Sequence, residues 1–191
     1  MIPGFRSRLN IGIDNMLICI SGTPGTGKSS VGRAIALLAG IQIIEANDFV
    51  RSHGLITGRD KLRKSLIVDT KGLKRESLAL KGDRILVGHI SHFAKCGICI
   101  ILRTNPDVLE ARLKKRRWSK EKIAENVEAE ILDACLKEAA DECGIDNVFE
   151  IDTTGKRPKV AAAEALTIIR GTGRKSHKPG KINWIKYLKI S

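Results

Sequence analysis

The chain has 191 residues, 42% of them hydrophobic, which suits one domain with an ordinary buried core. Its net charge of +13 speaks to anionic partners, nucleotide or RNA, and not to fold. No apolar run is long enough for a membrane span, the first fifteen residues lack the apolar core of a secretory signal, and five cysteines, an odd number set mostly in apolar runs, argue against a disulfide framework and for a reducing, cytoplasmic setting.

Residues 1–15 read as a disordered leader, with Met16 as an alternative start. Leu17–Ser21 is a short apolar run ending before glycine, readable as a strand buried on both faces. After the glycine-rich turn, Lys28–Ala39 has helical spacing, with Val31, Ala34, Ile35 and Leu38 on one face and Gly40 as its stop. Ile41–Glu45 is a second strand, and residues 46–83 are polar, charged and partly helical. Ile85–Val87 and Ile98–Leu102 are further strands. Asn105-Pro106 opens a helix to about Arg117, with asparagine as cap and proline at the first helical position. Ser119 caps a longer helix carrying Ile123, Val127, Ile131 and Cys135 and stopping at Gly144. Val148–Ile151 is the fifth strand, and an alanine-rich helix covers residues 158–169. Alternating strands and helices predict an α/β three-layer sandwich around a five-stranded parallel sheet. Residues 16–170 form the core, and 171–191 a basic tail with six Lys and Arg and no acid. Cys96-Gly97-Ile98-Cys99 has metal-ligand spacing, but no second pair follows, so two buried strand thiols are the expectation.

The pattern G-x-x-x-x-G-K-[ST] is complete in Gly22, Gly27, Lys28 and Ser29, and it lies between a predicted strand and a predicted helix. Glycines let backbone N–H groups crowd around an anion, and the helix N-terminus adds partial positive charge. The loop residues Gly25, Thr26, Gly27, Lys28, Ser29 and Ser30 are therefore candidate ATP ligands. Lys28 is expected at the β- and γ-phosphates and Ser29 on Mg2+.

Further motifs follow in a specific order: Asn47-Asp48-Phe49-Val50-Arg51, Gly88-His89-Ile90-Ser91-His92, Leu102-Arg103-Thr104, then Arg112, Arg116, Trp118, Asn126 and Glu130, and Pro179-Gly180-Lys181-Ile182-Asn183-Trp184. With the loop, they resemble the adenylate kinase isoenzyme six family, its archaeal members in particular, over residues 16–188. The resemblance implies the P-loop fold of nucleoside monophosphate kinases, ATP with Mg2+, and transfer of the γ-phosphoryl group to AMP or another monophosphate. It also implies a weak ATPase and a part in late maturation of the small ribosomal subunit, through a ribosomal protein of the S-eleven type and contact with pre-ribosomal RNA. By the same likeness, residues 45–69 would hold the monophosphate, with Arg51 facing it and Asp48 either beside it or capping the helix. Residues 115–126 would form a lid. Arg112 and Arg116, four apart and so on one helix face, would stabilise charge in the transition state. Lys156 would lie near the adenine. His89 would serve ATPase chemistry, or be a satisfied core histidine; His92 reads as structural or partner-facing.

Two departures stand out. The family often has an acid two residues before the histidine matching His89, to hold the Mg2+ shell; here that residue is Val87. Either Asp69 or Asp48 substitutes, or Ser29, phosphates and water suffice. The stretch Gly58–Lys64 is more basic than expected, which leaves the preferred monophosphate open. Two rival readings remain: an assembly ATPase with little kinase activity, and a small-metabolite P-loop kinase.

Overall fold

The computed structural model describes residues 15–60 and 65–188. Most of the leader, the end of the Gly58–Lys64 stretch and the last three residues of the basic tail lie outside the described residues.

Among the described residues, seven strands and seven α-helices are interspersed. Strands β1 (Leu17–Ser21), β2 (Gln42–Glu45), β5 (Arg84–Val87), β6 (Ile98–Arg103) and β7 (Val148–Asp152) form one parallel sheet in the order β2-β5-β1-β6-β7. Every residue of β1 and β6 is buried, as expected for central strands covered on both faces. Helices α1 (Lys28–Ala39) and α7 (Pro158–Ile169) cover one face, where Val31, Ile35, Ala161, Ala165 and Ile168 pack on Ile18, Ile20 and Ile100. Helices α2 (Ala46–Ser52), α3 (Thr70–Ser77) and α6 (Ala134–Cys143) cover the other, against Cys19, Leu86, Cys99 and Ile101. The three-layer reading is therefore met.

Helix ends follow the sequence signals. Gly40 ends α1 at φ 69°, its N–H bonded to Ala36 O. Asn105 caps α4 (Pro106–Lys115) by accepting from Asp107 N and Val108 N. Ser119 accepts from Lys122 N at the start of α5 (Lys120–Ile131). Helices α4 and α5 pack through Leu109, Leu113, Trp118, Ile123 and Val127, apart from the main core.

One expectation is corrected. The helix expected from Ser119 to Gly144 is broken between α5 and α6, where Asp133 adopts φ 59°. The cause is distant in sequence: the buried Arg103 guanidinium bonds both the Glu130 carbonyl and the Asp133 carboxylate, which draws the chain out of the helical path. Within residues 46–83, an antiparallel pair, β3 (Ile56–Asp60) with β4 (Ser65–Val68), stands beside the helices.

In open parallel sheets, ligands bind outside the carboxyl ends of the strands, where the chain order reverses. Here β1 is flanked by β5 and β6, and the glycine-rich loop leaves its carboxyl end. Residues 171–188 run back over the core. Gly180 N donates to Glu150 Oε2 at 2.7 Å, Lys178 pairs with Asp146 at 2.8 Å, and Asn105 Nδ2 donates to the Tyr187 hydroxyl at 2.6 Å.

Candidate active site

The turn from β1 to α1 is built on left-handed backbone. Gly25 and Gly27 both sit at φ 98°, which side-chain-bearing residues rarely adopt. At Gly25 space is also short, since a Cβ there would lie 2.8 Å from Leu109 Cδ1. The loop is tied inward as well: Thr26 Oγ1 donates to Thr23 O at 2.9 Å, and Thr153 Oγ1 donates to Thr26 O at 2.9 Å.

Lys28 lies across this loop, donating to Gly22 O at 2.7 Å and Thr23 O at 3.0 Å. Burial lowers its pKa to about 8. An ammonium held on two carbonyls inside a ring of amides suits a polyphosphate tail, which would restore the charge that burial disfavours. Arg112 bonds Gly25 O at 3.2 Å, Thr104 Oγ1 at 3.4 Å and Thr153 O at 3.3 Å, so it clamps the loop to the ends of β6 and β7. Arg116 ends α4 exposed, yet near enough for its charge to lower the Lys28 pKa.

Beside the loop, a cleft of about 250 Å³ is lined by Gly25, Thr26, Gly27, Ser30, Arg112 and Lys156, among others. Lys156 is held there by Glu164, at 2.7 and 2.8 Å. His89 lies at the loop's other flank, its Nδ1 3.3 Å from Gly22 O and 3.5 Å from Cys135 Sγ. Burial, then the Lys28 charge, lowers its pKa. His92 is fully buried, its Nδ1 2.7 Å from Ser21 Oγ and its Nε2 3.2 Å from Glu138 Oε2, though off hydrogen-bond alignment. That is an internal position.

The carboxylate that sequence reasoning missed is Glu45. It ends β2 and pairs in register with Val87 on β5. Glu45 Oε2 stands 3.3 Å from Ser29 Oγ, and Oε1 lies 3.6 Å from Arg33. The two acids expected as substitutes are engaged elsewhere. Asp69 caps α3 by accepting from Gly72 N at 2.9 Å, and Asp48 faces Arg51 at 3.4 Å on the exposed side of α2. The residues 45–69 thus bring Glu45 to the loop, while Asp48 and Arg51 pair with each other in solvent. The only signal for Glu45 was its place as the last residue of a parallel strand.

Behind the loop lies a buried ionic network. Arg103 donates to Glu130 Oε1 at 2.8 Å and to Glu150 Oε1 at 2.6 Å, and it also pairs with Asp133. Glu130 accepts from Thr23 Oγ1 at 2.6 Å and from Thr104 N at 3.0 Å. One carboxylate therefore joins the phosphate loop to the end of α5. In the sequence, Glu130 and Arg103 stand out only as parts of the family pattern.

A glycine-rich loop with its lysine and serine, at the carboxyl end of a central parallel strand, defines the P-loop class of nucleotide-binding folds. The comparisons agree. The AAA domain family matches residues 18–133. An Archaeoglobus fulgidus protein named "Putative adenylate kinase" is 41% identical, the match covering 91% of this chain and 94% of that one. A Thermococcus kodakarensis protein of the same name is 37% identical, over 88% and 93%. Among solved structures, shikimate kinase from Acinetobacter baumannii in complex with shikimate aligns at a TM-score of 0.59 and 18% identity, covering 82% of this chain and 93% of that one, a likeness of fold alone. The chain belongs to the archaeal adenylate kinase family within the AAA-domain P-loop proteins.

Proposed function

We propose that the chain is a nucleoside monophosphate kinase, passing the γ-phosphoryl group of ATP to AMP or another monophosphate. The observation that carries this reading is Lys28, buried with a lowered pKa and held on Gly22 O and Thr23 O in a glycine loop, in a chain closely similar to proteins named as adenylate kinases. An acceptor phosphate oxygen attacks the γ-phosphorus, the bond to the β-phosphate oxygen breaks, and ADP and a nucleoside diphosphate leave.

The roles follow from position. The amides of residues 25–30 and the Lys28 ammonium hold the phosphates, and the cleft beside Lys156 takes the adenosine. Arg112 keeps the loop in shape, and Arg116 is poised to add charge stabilisation as the 115–126 lid closes. The Arg51–Asp48 pair on α2 is the acceptor-side element; the guanidinium exchanges its exposed carboxylate for the monophosphate. Ser29 and Glu45 offer adjacent hard oxygens, a donor set that fits Mg2+. When bound, Mg2+ neutralises charge on the transferring phosphates. Glu45 fills the role left empty by Val87.

The same site supports a weaker ATPase, because neutral His89 lies beside the loop and could orient a water. The +13 charge supports contact with a polyanion such as pre-ribosomal RNA, and the family likeness extends the proposal to late small-subunit maturation in the cytoplasm with an S-eleven-type ribosomal protein. A coupled assay over a panel of monophosphates tests the kinase. ADP formation above the acceptor-free rate is expected with at least one; none would refute it. Equal ADP release with and without acceptor would favour the assembly ATPase. Turnover on a sugar acid but no nucleotide would favour the metabolite kinase.

A further inference from the structure

We propose that Cys96, Cys99 and Cys143 form a zinc-binding site of three sulfurs. The expectation for Cys96 and Cys99 was two buried strand thiols, because no second pair follows in the sequence. The fold supplies a third ligand from elsewhere. Cys19 and Cys99 are register partners on the adjacent parallel strands β1 and β6, so their side chains leave the same face of the sheet. Cys96 lies just ahead of β6 in the same layer, and Cys143 is the last residue of α6, the helix packed over that face.

The sulfur atoms of Cys96, Cys99 and Cys143 all lie within 4.8 Å of one another, and those of Cys96 and Cys143 are 3.5 Å apart. A Zn–S bond of about 2.3 Å in a tetrahedron gives a sulfur–sulfur edge of about 3.8 Å. The 3.5 Å between Cys96 and Cys143 is close to that value. Cys19, on the same face, donates its thiol to Ser91 O at 3.0 Å, so the fourth position is left to water. A donor set made only of sulfur selects zinc or a softer ion over magnesium, which makes this site chemically distinct from the Ser29–Glu45 oxygens. Cys143 is only partly covered, which gives an ion a route in, while Cys19 and Cys99 are fully buried.

Binding releases the thiol protons to solvent. The ion would then join the carboxyl end of α6 to β6. The other end of α6 begins at Asp133 and Cys135, which touch Arg103 and His89, so the metal would stiffen the helix that backs the phosphate loop.

The test is cobalt titration of the reduced, chelator-stripped full-length protein. One equivalent should produce sulfur-to-cobalt charge-transfer absorption with the visible bands of a tetrahedral thiolate site, and zinc should bleach them. Cys99→Ser and Cys143→Ser should lose the band, whereas Cys135→Ser should keep it. Zinc, and not magnesium, should raise the melting temperature of the stripped wild-type protein, a readout that holds if the serine variants fold poorly. Absence of a sulfur-to-metal band in the reduced wild type, or an unchanged band in both serine variants, would overturn the proposal.

Discussion

The Glu45 carboxylate stands 3.3 Å from the Ser29 hydroxyl, at the strand end next to the one where Val87 leaves no acid. If it orders the Mg2+ shell, Glu45→Gln should raise the Mg2+ concentration needed for half-maximal ATP binding by about tenfold, on the order of 1.4 kcal/mol. Asp69→Ala should leave that dependence alone and cost about 1 kcal/mol in stability through loss of the α3 cap. Magnesium titrations of nucleotide binding, with urea melts of both variants, separate the two. Equal Mg2+ dependence in Glu45→Gln and wild type would remove Glu45 from the site.

Glu130 and Arg103 are both buried, and each is the other's main partner. Glu130→Ala leaves a buried guanidinium short of a carboxylate and frees Thr23 from the loop's far side. It should destabilise the fold by about 3–5 kcal/mol, measured by urea unfolding. Loss below about 1 kcal/mol would mean that the remaining Asp133 and Glu150 carboxylates suffice.

Gly25 takes φ 98° with Leu109 close behind it. Gly25→Ala should weaken ATP binding by at least tenfold and shift the loop, because both the backbone conformation and the Cβ position are unfavourable. Gly155, which also has φ above zero but open space around it, is the control, and Gly155→Ala should disturb ATP binding far less. Direct nucleotide titration distinguishes them.

Burial lowers the Lys28 pKa from 10.5 to about 8. Between those values the unfolded chain holds a proton that the folded chain has lost, so this group makes the free protein more stable as pH rises from about 8 to 10.5. Bound phosphate favours the ammonium, so ATP binding in that range should take up protons and weaken with rising pH. Calorimetry in buffers of differing ionisation heat measures the uptake, and Lys28→Ala should abolish it. No uptake near pH 9 would contradict the lowered pKa.

Much of this was readable from local chemistry. The loop from Gly22 to Ser29 is contiguous, and its glycines and lysine sit where the motif demands. The apolar runs of β1 and β6 announced buried strands, and Asn105-Pro106 and Ser119 marked helix starts. What stayed hidden depends on contacts distant in sequence. Glu45 meets Ser29 only because β2 lies beside β5. The break at Asp133 comes from Arg103, thirty residues earlier, while the apolar spacing from Ile131 to Cys135 continues across it as though the helix did. In the β3–β4 pair, β3 is too polar and the Leu66–Val68 run of β4 too short to announce a hairpin, and Cys143 joins Cys96 and Cys99 only through the packing of α6 on the sheet.

The most direct measurement is calorimetric titration of ATP, with and without Mg2+, into the wild-type chain and Lys28→Ala. The account predicts one magnesium-dependent site per chain in the wild type and its loss in the variant. No magnesium-dependent affinity for any nucleoside triphosphate, or full affinity retained without the Lys28 ammonium, would contradict it.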